Sequence, residues 1–340
     1  MDFQETLKML KEDPRYQSAK LVAVQLPEGL KRRAEEIAHT LSDKELVFIG
    51  DPFWGACDIP PEGKWDLLVQ FGHSPIPNLG SFGKVAFLEL QEEVKNEIDY
   101  NAVGLSSLTL TSNITYSKEL PRIKKYLEDH GIKVTLKRGD LRVLYPGQIL
   151  GCNISAARGD DEGVLFIGEG MFHPLGIALA LDRKVIAYNP RTDEYVDMER
   201  EKRKFLAQRY SAVDRATSAR IFGIIVSSKI GQTRYSLARA AKRLLDRNGK
   251  RSFIIVADLI RDEVLVNFPA DVYVNTACPR VTIEDYASFS RPLITYYELE
   301  MALGVRDKSR YILDEIVKTD EIGSTSFWRG NESSGNNRLH

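Results

Sequence analysis

The strongest constraint on the fold is a pattern of apolar strand, turn, helix and second apolar strand that occurs three times. The copies begin near Leu21, Val103 and Ile221. Further apolar runs extend each copy, and they are continuous rather than alternating, which is typical of parallel strands covered on both faces. The repeat therefore predicts an α/β fold with three pseudo-threefold-related, small Rossmann-like domains. Each is expected to be a mostly parallel sheet of about four strands with flanking helices.

Helix signals follow the first strand of each copy. The spacing predicts helices over 30–41, over 117–130 and up to about 248. Pro27 suits a first helical turn, Ser117 is the expected N-cap of the second helix, and Gly131 and Gly249 suit helix C-termini. A charged segment over 193–220 carries both signs of charge and is interpreted as a long, solvated helix between the second and third copies.

The repeat also predicts the domain boundaries. We expect a first domain over 1–98, a second over 99–192 and a third over 193–318. The tail over 319–340 is rich in Gly, Ser and Asn and is expected to be mobile, with Phe327 and Trp328 as docking candidates.

Composition limits the function classes. The 340 residues contain 47 Lys and Arg against 48 Asp and Glu, a net charge of −1, which argues against direct binding of nucleic acid through bulk positive charge. No secretory signal and no membrane-spanning apolar run is recognisable, so we expect a cytoplasmic protein. Only three cysteines occur, an odd number at long spacings, which excludes a disulfide scaffold.

Each cysteine falls in a loop of a different copy. Cys57 follows the strand ending at Ile49, Cys278 follows the strand ending near Asn275, and Cys152 lies in a Gly-rich connection. Sites in open α/β sheets lie beyond the carboxyl ends of strands. The thiols are either three unrelated, small buried side chains or ligands of one soft metal group. Both a 4Fe–4S cluster with one open iron and a zinc ion fit three thiolates.

Two further loops follow a strand and open a helix. They span 168–176 and 227–234, and backbone N–H groups at such helix starts suit a carboxylate or a phosphate. Neither loop matches a known nucleotide motif, so glycines needed for tight turns remain the alternative. His73, in the 72–75 loop, also follows a strand and is either structural or part of a site.

These loops together resemble those of the archaeal diphthamide-synthesis family, the 2-(3-amino-3-carboxypropyl)histidine synthases, over about residues 15–310. The resemblance implies a homodimer whose 4Fe–4S cluster is ligated by Cys57, Cys152 and Cys278, with catalysis acting through that cluster. It implies a noncanonical radical enzyme, supplied by an electron donor, that cleaves S-adenosylmethionine. The resulting 3-amino-3-carboxypropyl radical is added to a histidine of translation elongation factor 2, the first step of diphthamide formation.

The same loops supply the candidate contacts to S-adenosylmethionine. Gln232 and Arg234 are expected to meet its amino-acid end, and Glu169 its ribose. The full set of candidates is Gly168, Glu169, Gly170, His173, Ser227, Gly231, Gln232, Arg234 and His73.

Two other functions stay open at this point. One is a quinolinate-synthase-like dehydratase, which also resembles a three-domain iron–sulfur protein with one cysteine per domain. The other is a nonenzymatic protein that binds a ligand between α/β domains. Methylthioadenosine formation would support the radical enzyme, and colourless protein with dispensable cysteines would support the binding protein.

Overall fold

The structure is a computed structural model that describes residues 3–60, 63–80, 83–317 and 319. It contains three separate sheets, one for each copy of the sequence repeat. The predicted tail, including Phe327 and Trp328, lies outside the described residues apart from Thr319. None of the described helices combines the length and the apolar character needed to cross a membrane.

The first sheet is built from four parallel strands. Its elements are α1 (Phe3–Glu12), α2 (Pro14–Ser18), β1 (Leu21–Gln25), α3 (Ala34–Thr40), β2 (Glu45–Ile49), β3 (Leu67–Phe71) and β4 (Val85–Leu88), with 3-10 turns at Glu28–Arg33 and Pro77–Leu79. The strands lie in the order β2-β1-β3-β4. Apolar clusters cover both faces of its centre, where β1 and β3 are almost fully buried.

The second sheet has five strands. Its elements are α4 (Tyr100–Val103), β5 (Ser107–Ser112), α5 (Leu120–Asp129), β6 (Lys133–Thr135), β7 (Gly163–Ile167), α6 (Phe172–Ala180), β8 (Lys184–Asn189) and β9 (Glu194–Asp197), with 3-10 turns at Ile114–Glu119 and Ser155–Ala157. The order is β6-β5-β7-β8-β9, and only β9 runs antiparallel to its neighbour.

The third sheet again has four parallel strands. Its elements are α7 (Glu199–Thr217), β10 (Ile221–Ser227), α8 (Tyr235–Arg247), β11 (Arg251–Ala257), α9 (Asp262–Leu265), β12 (Val272–Asn275), α10 (Pro279–Ile283), β13 (Leu293–Thr295) and α11 (Tyr296–Ala302), with 3-10 turns at Ile230–Gln232 and Tyr286–Ser288. The order is β11-β10-β12-β13.

The strand order confirms the predicted three-sheet fold class. In each sheet the first strand of the unit lies between the second and the third, and the fourth follows the third. A parallel pair needs a crossover connection, and the helices between strands supply most of these connections. Because all three units share this order, the carboxyl ends of their strands offer equivalent positions for functional loops.

Three details differ from the sequence-based expectations. The edge strand β2 is not covered on both faces, because Val47 and Phe48 are 45% and 38% exposed. The charged segment over 193–220 is not one helix, because it begins with β9, which pairs with β8. The predicted boundary at residue 193 therefore precedes the last strand of the second sheet.

Ser117 is not the N-cap of a helix. Its hydroxyl donates to the carbonyl of Ile114 at 3.1 Å inside a 3-10 turn, and α5 begins only at Leu120. Proline in the first turn of α5 is the start signal that the sequence analysis overlooked. The helix predicted over 30–41 likewise divides into a 3-10 turn followed by α3.

The segment after the last helix returns across the other domains. We call residues 311–317 the C-terminal strap. Tyr311 and Leu313 enter an apolar cluster of the second domain, and the backbone N–H of Ile316 donates to the carbonyl of Cys152 at 2.8 Å. Asn78 of the first domain donates to the carbonyl of Val317 at 3.3 Å. The strap therefore ties all three domains together.

Candidate active site

The three cysteines come together in one site. All three are free thiols; Cys152 is buried, and Cys57 and Cys278 are half-buried. Burial, with a smaller contribution from the neighbouring Cys152, raises the pKa of Cys57 to about 11. Burial likewise raises the pKa of Cys278, with smaller contributions from Cys57 and Cys152. The three loops predicted to carry thiols thus converge, although they come from different domains.

The convergence does not follow the threefold symmetry of the sheets. Cys57 and Cys152 lie in the equivalent connections after the second strand of their units, β2 and β6. Cys278 instead follows the third strand of its unit, β12, directly before α10. The chain therefore uses a repeated fold but not a repeated loop to assemble the site.

Within the described ranges, no three His, Cys, Asp or Glu side chains are arranged to hold a single metal ion. The two metal groups that three thiolates suit differ in geometry. On zinc the three thiolates meet at one point, whereas in a 4Fe–4S cluster each binds a different iron, so the ligands lie farther apart.

The 227–234 loop joins the thiol loops. The backbone N–H of Gly231 donates to the carbonyl of Cys57 at 3.2 Å, and the side-chain amide of Gln232 lies 3.4 Å from the Cys57 Sγ. The carbonyl of Gly231 accepts from Nη2 of the buried Arg142 at 3.3 Å, and the same nitrogen lies 3.8 Å from the Cys152 Sγ. One peptide segment therefore contacts the Cys57 loop directly and the Cys152 loop through Arg142.

Arg234, at the end of the same loop, supports the third thiol. Its guanidinium forms a two-pronged ion pair with Asp314 of the C-terminal strap at 2.7 Å. It also donates to the carbonyls of Thr276 and Ala277 at 2.9 and 2.6 Å, directly before Cys278. Since four of its N–H groups are engaged, Arg234 orients the Cys278 loop. Its predicted contact with an amino-acid carboxylate stays a prediction.

Two more contacts hold the Cys57 loop against the third domain. Asp58 and Lys229 form a buried ion pair at 2.6 Å. The ring of Trp54 lies under the guanidinium of Arg280, 4.5 Å from the ring centroid. Sequence reasoning missed both contacts. Their only signal was adjacency to Cys57, to Cys278 and to the 227–234 loop.

The two candidate histidines are neighbours between the first and second domains. Burial lowers the pKa of His73 to about 4, and burial together with the nearby His73 lowers the pKa of His173 to about 4. His73 Nδ1 lies 3.2 Å from the carbonyl of Phe71, and the His173 ring stacks on Phe166. Both imidazoles are therefore neutral near pH 7, which suits hydrogen bonding rather than charge pairing.

The remaining candidates belong mainly to the second domain. Glu169 accepts from the Tyr116 hydroxyl at 3.0 Å and pairs with Arg191 at 2.9 Å. Gly168 is buried beside it, and Gly170 has φ +74°, which favours glycine. In the third domain, Ser227 Oγ accepts from the backbone N–H of Lys229 at 3.1 Å. Their predicted contacts with S-adenosylmethionine stay predictions.

The raised pKa of Cys57 predicts slow alkylation at neutral pH. In the folded apoprotein, the rate of Cys57 alkylation should increase tenfold per pH unit and level off only near pH 11. In urea the pH midpoint of the alkylation rate should return to about 8.5, the pKa of a solvated cysteine. Peptide mapping after timed iodoacetamide treatment measures the rate in the folded and in the unfolded protein. A folded-state midpoint at or below the unfolded one would contradict the buried thiol site.

The close contact at Gly231 predicts that no side chain is tolerated there. A Cβ on Gly231 would lie 2.3 Å from the Cβ and 2.5 Å from the Cα of Cys57, so Gly231→Ala must separate the two loops. We expect a loss of about 1–3 kcal/mol in urea unfolding, as for other overpacked sites, and a lower iron content after reconstitution. Gly50→Ala is the matched control, because a Cβ there meets nothing within 4 Å. Equal behaviour of the two variants would refute the role of Gly231.

Comparison with known proteins places the chain among its relatives. Residues 26–312 match the sequence model of a family described as "Putative diphthamide synthesis protein". A 2-(3-amino-3-carboxypropyl)histidine synthase of Pyrococcus horikoshii is 38% identical over 88% of this chain and 90% of its own. One of Methanocaldococcus jannaschii is 28% identical, over 88% of each chain.

The fold comparison gives the same result. The crystal structure of Dph2 from Pyrococcus horikoshii with a 4Fe–4S cluster superposes with a TM-score of 0.81. The two chains are 35% identical, and the match covers 93% of this chain and 94% of that one.

Proposed function

Since the chain belongs to the diphthamide synthesis family, we propose that it transfers the 3-amino-3-carboxypropyl group of S-adenosylmethionine to a histidine of translation elongation factor 2. The quinolinate-synthase-like alternative is not retained, because it belongs to another family. The single observation that carries the proposal is that three free thiols, one buried and two half-buried, come together from the three domains.

Cys57, Cys152 and Cys278 would hold a 4Fe–4S cluster in this site. When bound, such a cluster supplies one electron at low potential, which breaks the bond between the sulfur and the γ-carbon of the methionine moiety. The protein's own part is orientation and exclusion of water. Gln232 and Arg142 direct N–H groups at the thiol sulfurs, and Arg234 fixes the carbonyls that precede Cys278.

Exclusion of water matters because a carbon radical reacts with whatever lies beside it. Two buried ion pairs lie beside the thiols and keep water from their loops: Asp58 with Lys229, and Arg234 with Asp314. The neutral His73 and His173 add polar groups without charge. This arrangement needs no general acid or base, in keeping with a reaction that begins by electron transfer.

The partners belong to the proposal as well. The elongation factor has to present its histidine at the site, and an external donor has to supply the electron. A translation factor as substrate implies a cytoplasmic location, and a net charge of −1 gives no reason to add direct nucleic-acid binding.

Cleavage of S-adenosylmethionine provides the direct test. Anaerobically reconstituted protein should contain about four irons and four sulfides per chain, with one distinct iron in the Mössbauer spectrum. After reduction by dithionite it should form methylthioadenosine and modify elongation factor 2. Both activities should be lost in each of the single variants Cys57→Ala, Cys152→Ala and Cys278→Ala. They should be kept in Arg138→Gln, which changes an exposed residue of the second domain. Zinc in place of iron, or full activity of the alanine variants, would refute the proposal.

We also propose a homodimer. Support comes from exposed apolar side chains at the β11 edge of the third sheet: Val256, Val264, Val266 and Phe268 are 37–44% exposed. The β2 edge of the first sheet exposes a smaller pair, Val47 and Phe48. Apolar surface of this kind is typical of subunit contacts.

The larger patch predicts which substitution separates the subunits. Phe268→Asp should convert a dimer into a monomer in size-exclusion chromatography with light scattering, because it buries a charge in the interface. Val47→Asp, on the β2 edge, is the control and should remain dimeric. A monomeric wild-type protein, or dissociation by the control alone, would contradict this assignment.

A further inference from the structure

Four cationic side chains are buried in the described part of the chain, and one of them differs from the others. Three pair with a carboxylate: Lys229 with Asp58, Arg209 with Glu298, and Arg234 with Asp314. Arg142, which is 1% exposed, has no carboxylate partner within the described residues. Its charge is therefore buried without the compensation that the other three receive.

The surroundings of Arg142 are thiols and backbone. Nη2 lies 3.8 Å from the Cys152 Sγ and 3.3 Å from the carbonyl of Gly231. Nε and Nη1 are buried and have no hydrogen-bond partner in the structure. The Gly231 peptide that accepts the bond from Nη2 also donates its N–H to the carbonyl of Cys57 at 3.2 Å. The guanidinium thus lies between the Cys152 and Cys57 loops with N–H groups still to be satisfied.

Such an arrangement is costly unless an anion completes it. Arginine keeps its proton in proteins, so it cannot escape burial by becoming neutral, and an unpaired buried charge is strongly unfavourable. No carboxylate of the described residues lies beside the Arg142 guanidinium to supply the counter-charge, and its Nε and Nη1 have no acceptor. We therefore look for the missing anion in what the site holds.

We propose that Arg142 is the counter-charge of the iron–sulfur cluster, and that its free Nε–H and Nη1–H groups donate to the cluster's sulfur atoms. This inference rests on the proposed function. A 4Fe–4S core with three thiolates is negatively charged, and one-electron reduction by the external donor makes it more so. A fixed positive charge stabilises the reduced form more than the oxidised form, so Arg142 raises the reduction potential.

The carboxylate of S-adenosylmethionine is the competing anion. The cluster is favoured because Arg142 already lies 3.8 Å from the sulfur of one proposed ligand and bonds to the Gly231 peptide that contacts the loop of a second. A substrate carboxylate would also leave the charge uncompensated whenever substrate is absent. The two alternatives differ in a measurable way, since only the cluster's potential can be read without substrate.

Potentiometric titration followed by electron paramagnetic resonance tests the proposal on the reconstituted, full-length protein without S-adenosylmethionine. Arg142→Met should move the midpoint potential to a more negative value, and Arg142→Lys should lie between it and wild type. Arg138→Gln, which removes the same charge from an exposed position in the same loop, should match wild type. The signal comes only from loaded molecules, so incomplete iron uptake does not obscure the result.

An unchanged potential in Arg142→Met would overturn the inference. If the dissociation constant of S-adenosylmethionine increased at the same time, the substrate carboxylate would be the partner of Arg142. Wild-type protein that takes up no cluster would instead refute the proposed function itself. The two failures are therefore distinguishable.

The melting temperature of the cluster-free protein gives a second, independent test, in which removal of Arg142 should not destabilise the fold. Because its Arg142 charge is uncompensated, Arg142→Met should melt at the same temperature as wild type or higher when no cluster is bound, and should gain less on reconstitution. A clear fall in the melting temperature of the apoprotein would show that Arg142 is held for its contact with Gly231, which would overturn the proposal.

Discussion

The site depends on the close approach between Gly231 and Cys57. Backbone meets backbone there, because the N–H of Gly231 donates to the Cys57 carbonyl and a single added carbon would overlap the cysteine. From this contact the 227–234 loop extends in two directions, through Arg142 to Cys152 and through Arg234 to the residues before Cys278. These contacts hold together the thiol loops of three domains, each of which folds around its own sheet. The absence of a side chain at Gly231 is what lets the two loops approach so closely.

Charge compensation explains the rest of the site's design. Burying a cation beside its own carboxylate gives a rigid contact that depends little on what is bound, as with Lys229 and Asp58 or Arg234 and Asp314. These pairs fix the loops. Arg142 is instead buried beside thiols, so the balance of charge around it depends on what the thiols bind. The ion pairs therefore build the site, and Arg142 is the group that responds to what the site binds.

Sequence reasoning predicted the fold because its signals are local. Apolar strands, and the glycines that end helices at 131 and 249, act within a few residues, so the three units could be recognised from the chain alone. The thiols could be chosen for the same reason, as one falls in each unit. Arg142 could not, because its partner Gly231 lies 89 positions away and nothing near Arg142 distinguishes it from a surface arginine. Ser117 is the opposite case: its local sequence predicts a helix N-cap, but the residue lies inside a 3-10 turn. The exposed β2 shows that an apolar run alone does not reveal whether a neighbouring layer covers it.

The C-terminal strap has a consequence for the order of events during synthesis. It follows all three domains in the chain, yet it bonds to the carbonyl of Cys152, supplies Asp314 to Arg234 and reaches Asn78 of the first domain. Domains fold in sequence as they leave the ribosome, so each sheet can form before the strap appears. The contacts among Cys57, Gly231 and Arg142 can form at that stage, but Arg234 gains its carboxylate partner, and Cys152 its backbone bond, only when the strap has emerged. Completion of the site is thus a late step, and a ribosome stalled before the strap carries folded domains with Arg234 still unpaired.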